Sequence, residues 1–185
     1  NTATWVGGVL PAATDDIQID HALAVDGTYT CTHINQATSG PLLTIPDTRE
    51  LIFRGYFNPR NSGGKKVVVQ MDAGSTLTFD AANQVGANAG RIFGLDSFTH
   101  GVFACDGTLA KPVIIRQTGS GARRMSIDFN DDLNRAGSIW PRFTYVNFVG
   151  VGGPTFYALY QAIGYGGAGN AEVILDNCIF DAACG

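Results

Sequence analysis

Apolar residues recur along this chain in short runs of strand formers, and from residue 113 onward the runs return about every thirty residues. "VIIRQ" begins at Val113, "FTYVN" at Phe143 and "VILDN" at Val173, with Gln117, Asn147 and Asn177 at the same place in each. A second set, "MSIDFN" at 125–130 and "TFYALYQA" at 155–162, lies between them at a similar spacing. Val, Ile, Phe and Tyr fit strands, and Gly-rich bends separate the runs. A unit of this size with at least two short strands cannot bury its own apolar face. Stacked units can, each strand pairing in parallel with its equivalent one turn later. The pattern therefore predicts an all-β parallel solenoid in which 113–117 pairs with 143–147, and 143–147 with 173–177. Ile115, Tyr145 and Leu175 then form successive core layers. Gln117, Asn147 and Asn177 form an amide ladder where the chain bends, since Asn tolerates left-handed backbone and amides can bond from turn to turn. Ordinary turn polar residues are the alternative for these three.

The first hundred residues are less regular but of the same kind. Turn residues precede Ile17, Ile19, Leu23 and Val25, and "GPLLTIPDTRELIFRG", "KKVVVQMDAGSTLTFDA" and "HGVFACDGTLAKPVII" alternate strand formers with Gly, Asp and Pro. "DGT" occurs at 26–28 and at 106–108, each after an apolar run, and reads as a tight turn between strands. The chain reads as one domain, 1–185, with irregular turns over 1–100 and regular ones over 101–185.

Composition supports strands over helices. Fourteen of the sixteen acids are Asp and two are Glu, and Asp favours turns where Glu favours helices. Charged residues make up 15% of the chain and its net charge is −4. No basic run extends beyond Lys65-Lys66 and Arg123-Arg124, which argues against a nucleic-acid partner. No apolar segment approaches the roughly 20 residues that span a bilayer. No signal peptide is visible, and the opening "NTATWVGG" suits a mature or trimmed N-terminus. Cys31, Cys105, Cys178 and Cys184 contain no CxxC pair and so no zinc pattern. They read either as buried free thiols or as including a Cys178–Cys184 disulfide, which would fit a secreted protein.

Three segments resemble a known family. "GVFACDGTLAKPVIIRQTG", "FTYVNFVGVGG" and "VILDNCIFDAACG" are similar to successive turns of right-handed parallel β-helix proteins of the pectin-lyase-like superfamily. "TWVGGVLPAATDDIQID" resembles the opening of secreted β-helix and G8-like modules. The likeness covers roughly residues 100–185 and 4–30. It implies a right-handed parallel β-helix, a single-chain β-solenoid, secreted or at a cell surface. It specifies architecture more than function, because the fold hosts lyases, hydrolases, adhesins and phage tailspikes.

A hydrolase on such a fold needs two or three carboxylates on one face, about 6.5–9.5 Å apart in the inverting case. A lyase needs a base, often Arg or Lys, near a calcium ion held by acids. "DFNDD" is the densest candidate: Asp128, Asp131 and Asp132, near Arg123 and Arg124. A solvated loop after a strand is the competing reading. Polygalacturonase-like enzymes carry Asn-Thr-Asp, Asp-Asp, Gly-His-Gly and Arg-Ile-Lys motifs. This chain has Asp131-Asp132 and an isolated His100-Gly101, without the last two motifs, which weighs against that activity. Asp15-Asp16 reads as the cap of the first strand, with a calcium ligand pair as the alternative. Trp140, Tyr157 and Tyr165 are candidates for a glycan-stacking platform against the commoner core role of aromatics. "PRNSGGKK" at 59–66 and "YGGAGN" at 165–170 read as projecting loops.

No polar cap is visible after Phe180, so the chain reads as a fragment of a longer β-helix or as a subunit that self-associates through its C-terminal end. The expected role is a secreted or surface module, structural, adhesive or glycan-binding. The alternatives are a polysaccharide lyase or glycoside hydrolase acting on acidic polysaccharide, with calcium as its cofactor, and a viral or phage spike shaft.

Overall fold

The computed structural model describes residues 9–37, 39–59, 67–93, 102–122, 124–129, 141–152, 159–161 and 174–181. Within them the strand-forming runs become short strands in three six-stranded sheets. The first sheet is β1 (Ile17–Ile19), β4 (Ile34–Gln36), β7 (Phe57–Asn58), β10 (Arg91–Phe93), β13 (Ser126–Phe129) and β16 (Leu159–Gln161). The second is β2 (Leu23–Ala24), β5 (Leu43–Ile45), β8 (Val67–Asp72), β11 (Val102–Asp106), β14 (Arg142–Thr144) and β17 (Ile174–Asp176). The third is β3 (Thr28–Cys31), β6 (Glu50–Phe53), β9 (Thr76–Asp80), β12 (Val113–Thr118), β15 (Val146–Val149) and β18 (Ile179–Phe180). The chain visits the three sheets in rotation and returns to each one strand further along. All pairings between neighbours are parallel. This is the stacked parallel arrangement the repeat predicts, with three strands in each turn. The only helical element among the described residues is a 3₁₀ turn at Ala81–Asn83.

Alternation along each strand sets inside from outside. In β12 Val113, Ile115 and Gln117 are buried while Ile114, Arg116 and Thr118 are not. Inward residues of the three sheets merge into one continuous apolar cluster. Phenylalanines are its largest members: Phe53 packs on Phe79 at 5.5 Å, Phe57 on Phe103 at 5.8 Å and Phe143 on Phe148 at 5.7 Å between ring centres. Two inward glutamines hold corners together. Gln36 donates to the carbonyls of Pro41 and Val68 at 2.8 and 2.9 Å, and the Gln117 side-chain carbonyl accepts from the Met125 N–H at 2.9 Å.

The pairing expected between 143–147 and 173–177 holds for β14 and β17, with Phe143 beside Leu175, but the register corrects the pairing expected between 113–117 and 143–147. Val113 lies beside Val146, not Phe143, while Phe143 lies between Cys105 and Leu175 in a different sheet. The layer through Ile115 is Leu51, Leu77, Ile115, Phe148 and Phe180. Tyr145 is not a core layer: it is a bend residue between β14 and β15 with φ of 48°. The amide ladder fails for the same reason. Gln117 pairs with Phe79, Asn147 pairs with Ile114 and Ile179 within strands, and Asn177, at φ 52°, occupies the bend between β17 and β18 that matches Tyr145. The period of thirty juxtaposed strands from two sheets because strand and bend lengths add up to 32 or 33 residues per turn in this region. The second set of runs does pair as expected, with Ile127 beside Leu159.

Both "DGT" segments are turns between the second and third sheets. Gly107 is there because a Cβ would lie 2.3 Å from the Tyr145 carbonyl oxygen of the next turn. Cys31 and Cys105 are buried free thiols and Cys178 is a half-buried one. Its partner in the predicted disulfide, Cys184, lies outside the described residues. Among the described residues no helix is long and apolar enough to cross a membrane.

Candidate functional site

The three corners of the coil differ in what the chain places there. Connections from the second to the third sheet stay short throughout, from the single residue 145 to the six residues 107–112. Connections from the first to the second sheet lengthen along the coil: 20–22, 37–42, 59–66, 94–101, 130–141 and 162–173. They grow from three residues to twelve, and connections from the third to the first sheet also lengthen, from the two residues 32–33 to the ten residues 81–90. The topology thus collects the sequence candidates. Asp131, Asp132 and Trp140 belong to the fifth of these connections and Tyr165 to the sixth, next to β13, which contains Asp128. Asp131, Asp132, Trp140 and Tyr165, together with Arg123 and Tyr157, lie outside the described residues. The backbone of Asp128 pairs with Phe93 and Tyr160 on the adjacent turns. Arg124 is half-buried in the connection before β13, at the other end of that strand from the 130–141 connection.

The corner entering the first sheet holds a polar column that the thirty-residue pattern does not reveal. Asp16, His33 and Tyr56 each immediately precede a strand, and Ile17, Ile34 and Phe57, which follow them, are paired. His33 Nδ1 lies 2.7 Å from Asp16 Oδ1, and its ring packs on Tyr56 with centres 4.3 Å apart. Gly55 makes room for it, since a Cβ there would lie 2.2 Å from the imidazole. A carboxylate on Nδ1 orients the ring and leaves Nε2 as its second exchangeable position. Arg54 beside it donates to Asp80 Oδ2 at 3.1 Å. A signal for this column did exist in the sequence: a polar or aromatic residue before an apolar residue and an amide (Ile17-Gln18, Ile34-Asn35, Phe57-Asn58), recurring after 17 and then 23 residues. Those intervals are shorter than the thirty-residue period.

Asp15 and Asp16 bond to different partners. Asp15 accepts from the Ala12 N–H at 2.8 Å and closes a turn before β1, the capping role expected for it, while Asp16 holds His33. Among the described residues no group of three or more His, Cys, Asp or Glu side chains is placed to hold a metal ion.

Outward charges on the other two sheets bind one another across turns. On the second sheet Asp106 accepts from Gln70 on the turn before and from Arg142 on the turn after. The Arg142 guanidinium beside it holds the Asp106 carboxyl below its ordinary range, against the opposing effect of partial burial, and Asp106 in turn raises Arg142. On the third sheet Arg116 donates to Glu50 at 2.9 Å and to Thr78 at 3.0 Å, spanning three turns. Lys111 pairs with Asp47 at the corner between these sheets. Burial pushes the Cys31 thiol up to about 12 and raises Cys105 and Cys178, which keeps all three protonated and unreactive near neutral pH.

No protein-family model matches the chain, and neither a curated protein nor a solved structure does.

Proposed function

We propose that the chain is a right-handed parallel β-helix module of the pectin-lyase-like kind, secreted or displayed at a cell surface, with a structural, adhesive or glycan-binding role. Handedness rests on the general preference of parallel crossovers, which are right-handed in about 98% of cases. The observation that carries the functional reading is the lengthening of the connections on both sides of the first sheet, while those from the second to the third sheet stay at one to six residues. A rigid stack that varies at two corners and stays tight at the third is a scaffold for displaying loops, and loops on a rigid scaffold are where recognition residues gather. Outward charges of the second and third sheets are already paired with one another, which suits supporting faces.

The test is a glycan array probed with the intact chain and with a variant whose 130–141 connection is replaced by a short Gly-Ser link. Binding of the intact chain without turnover, lost in the variant, is the expected result. Absence of binding by the intact chain to any glycan leaves the purely structural role, and product formation from acidic polysaccharide overturns both.

A second reading, a polysaccharide lyase or hydrolase, is favoured by one observation: the Asp16-oriented imidazole of His33. Turnover abolished by His33→Ala, or by Asp128→Ala with calcium supplied, would establish it. Self-association is supported by the last turn, where Ile174, Leu175, Ile179 and Phe180 are 45–61% exposed. Sedimentation over a range of concentrations tests that contact.

A further inference from the structure

One line on the coil's surface collects an acid, a base, a phenol and a guanidinium. The residues immediately before the paired positions Ile17, Ile34, Phe57 and Ile92 are Asp16, His33, Tyr56 and Arg91. Backbone bonds hold this corner in register. The Ile17 N–H donates to the His33 carbonyl at 2.8 Å, the Ile34 N–H to the Tyr56 carbonyl at 2.9 Å and the Gly90 N–H to the Gly55 carbonyl at 2.7 Å. A carboxylate only accepts, so the Asp16 contact at 2.7 Å fixes the ring hydrogen on Nδ1 and leaves the lone pair of the neutral imidazole on Nε2. Gly55 lies against the ring, and Nε2 faces Gly86 of the connection 81–90. A Cβ at Gly86 would lie 3.8 Å from Nε2 and, its chain neighbours aside, would meet no other described heavy atom within 4 Å. Nε2 therefore borders open space, while the His33 side chain as a whole is 18% exposed.

We propose, resting on the enzymatic reading above, that this corner is a metal-independent β-elimination site for a carboxylate-bearing sugar chain, with His33 as the base. In a uronate chain the carboxylate acidifies the hydrogen on the neighbouring carbon, and the glycosidic oxygen leaves from the next carbon along. His33 Nε2 takes that hydrogen as a proton, its bonding pair becomes the new C=C bond, and the C–O bond to the leaving sugar breaks. The Tyr56 hydroxyl gives the leaving oxygen its proton. The imidazolium packed against the phenol then returns a proton to it, so both groups are restored and no water, oxidant or reductant is consumed. Arg91 neutralises the substrate carboxylate while negative charge builds on it. It is exposed and two turns from His33, roughly 10 Å between backbones at 4.8 Å per turn, and a long side chain spans most of that gap. Asp16 is a positioning residue that sets the imidazole. Arg54, on the same corner, is committed to Asp80 and to the Ala13 carbonyl. Hydrolysis fits this corner less well. It uses two carboxylates flanking the bond, whereas Asp15 is bonded to the Ala12 N–H and Asp80 to Arg54.

The intact chain is incubated with polygalacturonate, alginate or hyaluronan in the presence of a calcium chelator, and the ultraviolet absorbance of unsaturated uronate is followed alongside reducing ends. Cleavage of at least one polymer, with both signals rising together, is the expected result. His33→Gln should lower the rate about a hundredfold or more. Tyr56→Phe keeps a ring against His33 and removes only the hydroxyl, so it should lower kcat while KM and the melting temperature stay unchanged. Asp16→Asn should also lower kcat at unchanged KM, and Asp16→Glu should restore part of it. Absence of unsaturated product from all three polymers overturns the proposal, and so does cleavage that His33→Gln and Tyr56→Phe leave intact. Reducing ends that rise without the absorbance, or cleavage that appears only when calcium is supplied, would overturn this site and mechanism while leaving the enzymatic reading in place.

Discussion

Arg142 grips Asp106 with two parallel hydrogen bonds, Nε to Oδ1 at 2.8 Å and Nη2 to Oδ2 at 2.7 Å, and the two residues lie on adjacent turns of the coil. The fork geometry of guanidinium on carboxylate is the strong form of such a pair. Gln70, on the turn before, adds a third bond to the same carboxylate at 2.9 Å. Three successive turns are thereby fastened on one outer face.

This arrangement makes stability depend on pH in a defined window. Asp106 has its folded value lowered, chiefly by the hydrogen bonds from Arg142. Its contribution is therefore complete above the unfolded carboxylate value of about 3.9 and is lost as pH falls through the lower folded value. Asp106→Asn should cost up to about 1 kcal/mol at pH 7, a small figure because the pair is partly solvated. The cost should shrink as pH is lowered from 4 toward 2. Urea unfolding of both proteins at pH 7, 4 and 2 measures it, and an equal loss at all three values would show that charge plays no part.

Phe148 and Leu175 separate the true core layer from the expected one. Phe148 is fully buried between Ile115 and Phe180, while Leu175 is 47% exposed on an end strand. Phe148→Ala should cost about 3–5 kcal/mol. Leu175→Ala should stay within about 1 kcal/mol, close to the range of surface substitutions. Denaturant midpoints of the two variants decide the assignment. The reverse order of effects would restore the layer of Ile115, Tyr145 and Leu175.

Strand content and parallel stacking were legible in the sequence because both rest on local composition and recurrence. Val113, Phe143 and Ile174 all lie in strands. Register was not legible, because a turn of the coil is the sum of three strands and three bends. In the first sheet paired residues run Ile17, Ile34, Phe57, Ile92, Ile127 and Leu159, so successive turns take 17, 23, 35, 35 and 32 residues. A fixed period of thirty therefore matched β12 with β14, which lie in different sheets, and matched β14 with its true neighbour β17 two residues out of register. The Asp16–His33 contact was hidden by the same drift. The charged ladders were hidden for another reason: Glu50 and Arg116 are 66 residues apart and meet only through stacking. The loop candidates Asp131, Asp132 and Trp140 could be gathered by topology alone, since strand boundaries fix which corner they leave from.

Gly107 tests how tightly the short corner is wound. A Cβ at this position would meet the Tyr145 carbonyl oxygen at 2.3 Å, the Thr144 carbonyl oxygen at 2.8 Å and the Val113 nitrogen at 2.9 Å. All three are backbone atoms and cannot turn aside as a side chain would. Gly107→Ala should destabilise by about 1–3 kcal/mol, as overpacking does. Gly27, at the other "DGT" turn, faces only the Tyr29 ring, at 3.3 Å. Gly27→Ala should therefore cost less, and thermal melts of the pair give the comparison. Equal losses would mean that the corner at 107 relaxes without resistance.

Phe148 also tests whether stability is shared along the whole coil or held turn by turn. β15 pairs only with β12 and β18, so a charge placed at Phe148 acts directly on its own turn and the two beside it. An aspartate there is buried and unpaired, and its desolvation must be relieved by local opening. In a stacked coil, contacts run between neighbouring turns, and opening need not spread to distant ones. Phe148→Asp should abolish amide protection in β12, β15 and β18 while β1, β4 and β7 keep theirs. The early turns have a buried core of their own, with Ile34, Leu43, Phe53 and Phe57 all fully buried. Hydrogen exchange read by fragment on the variant and the parent chain measures this directly. Uniform loss of protection from residue 17 to residue 180 would mean that the three sheets share one cooperative core, and the turn-by-turn account would fail.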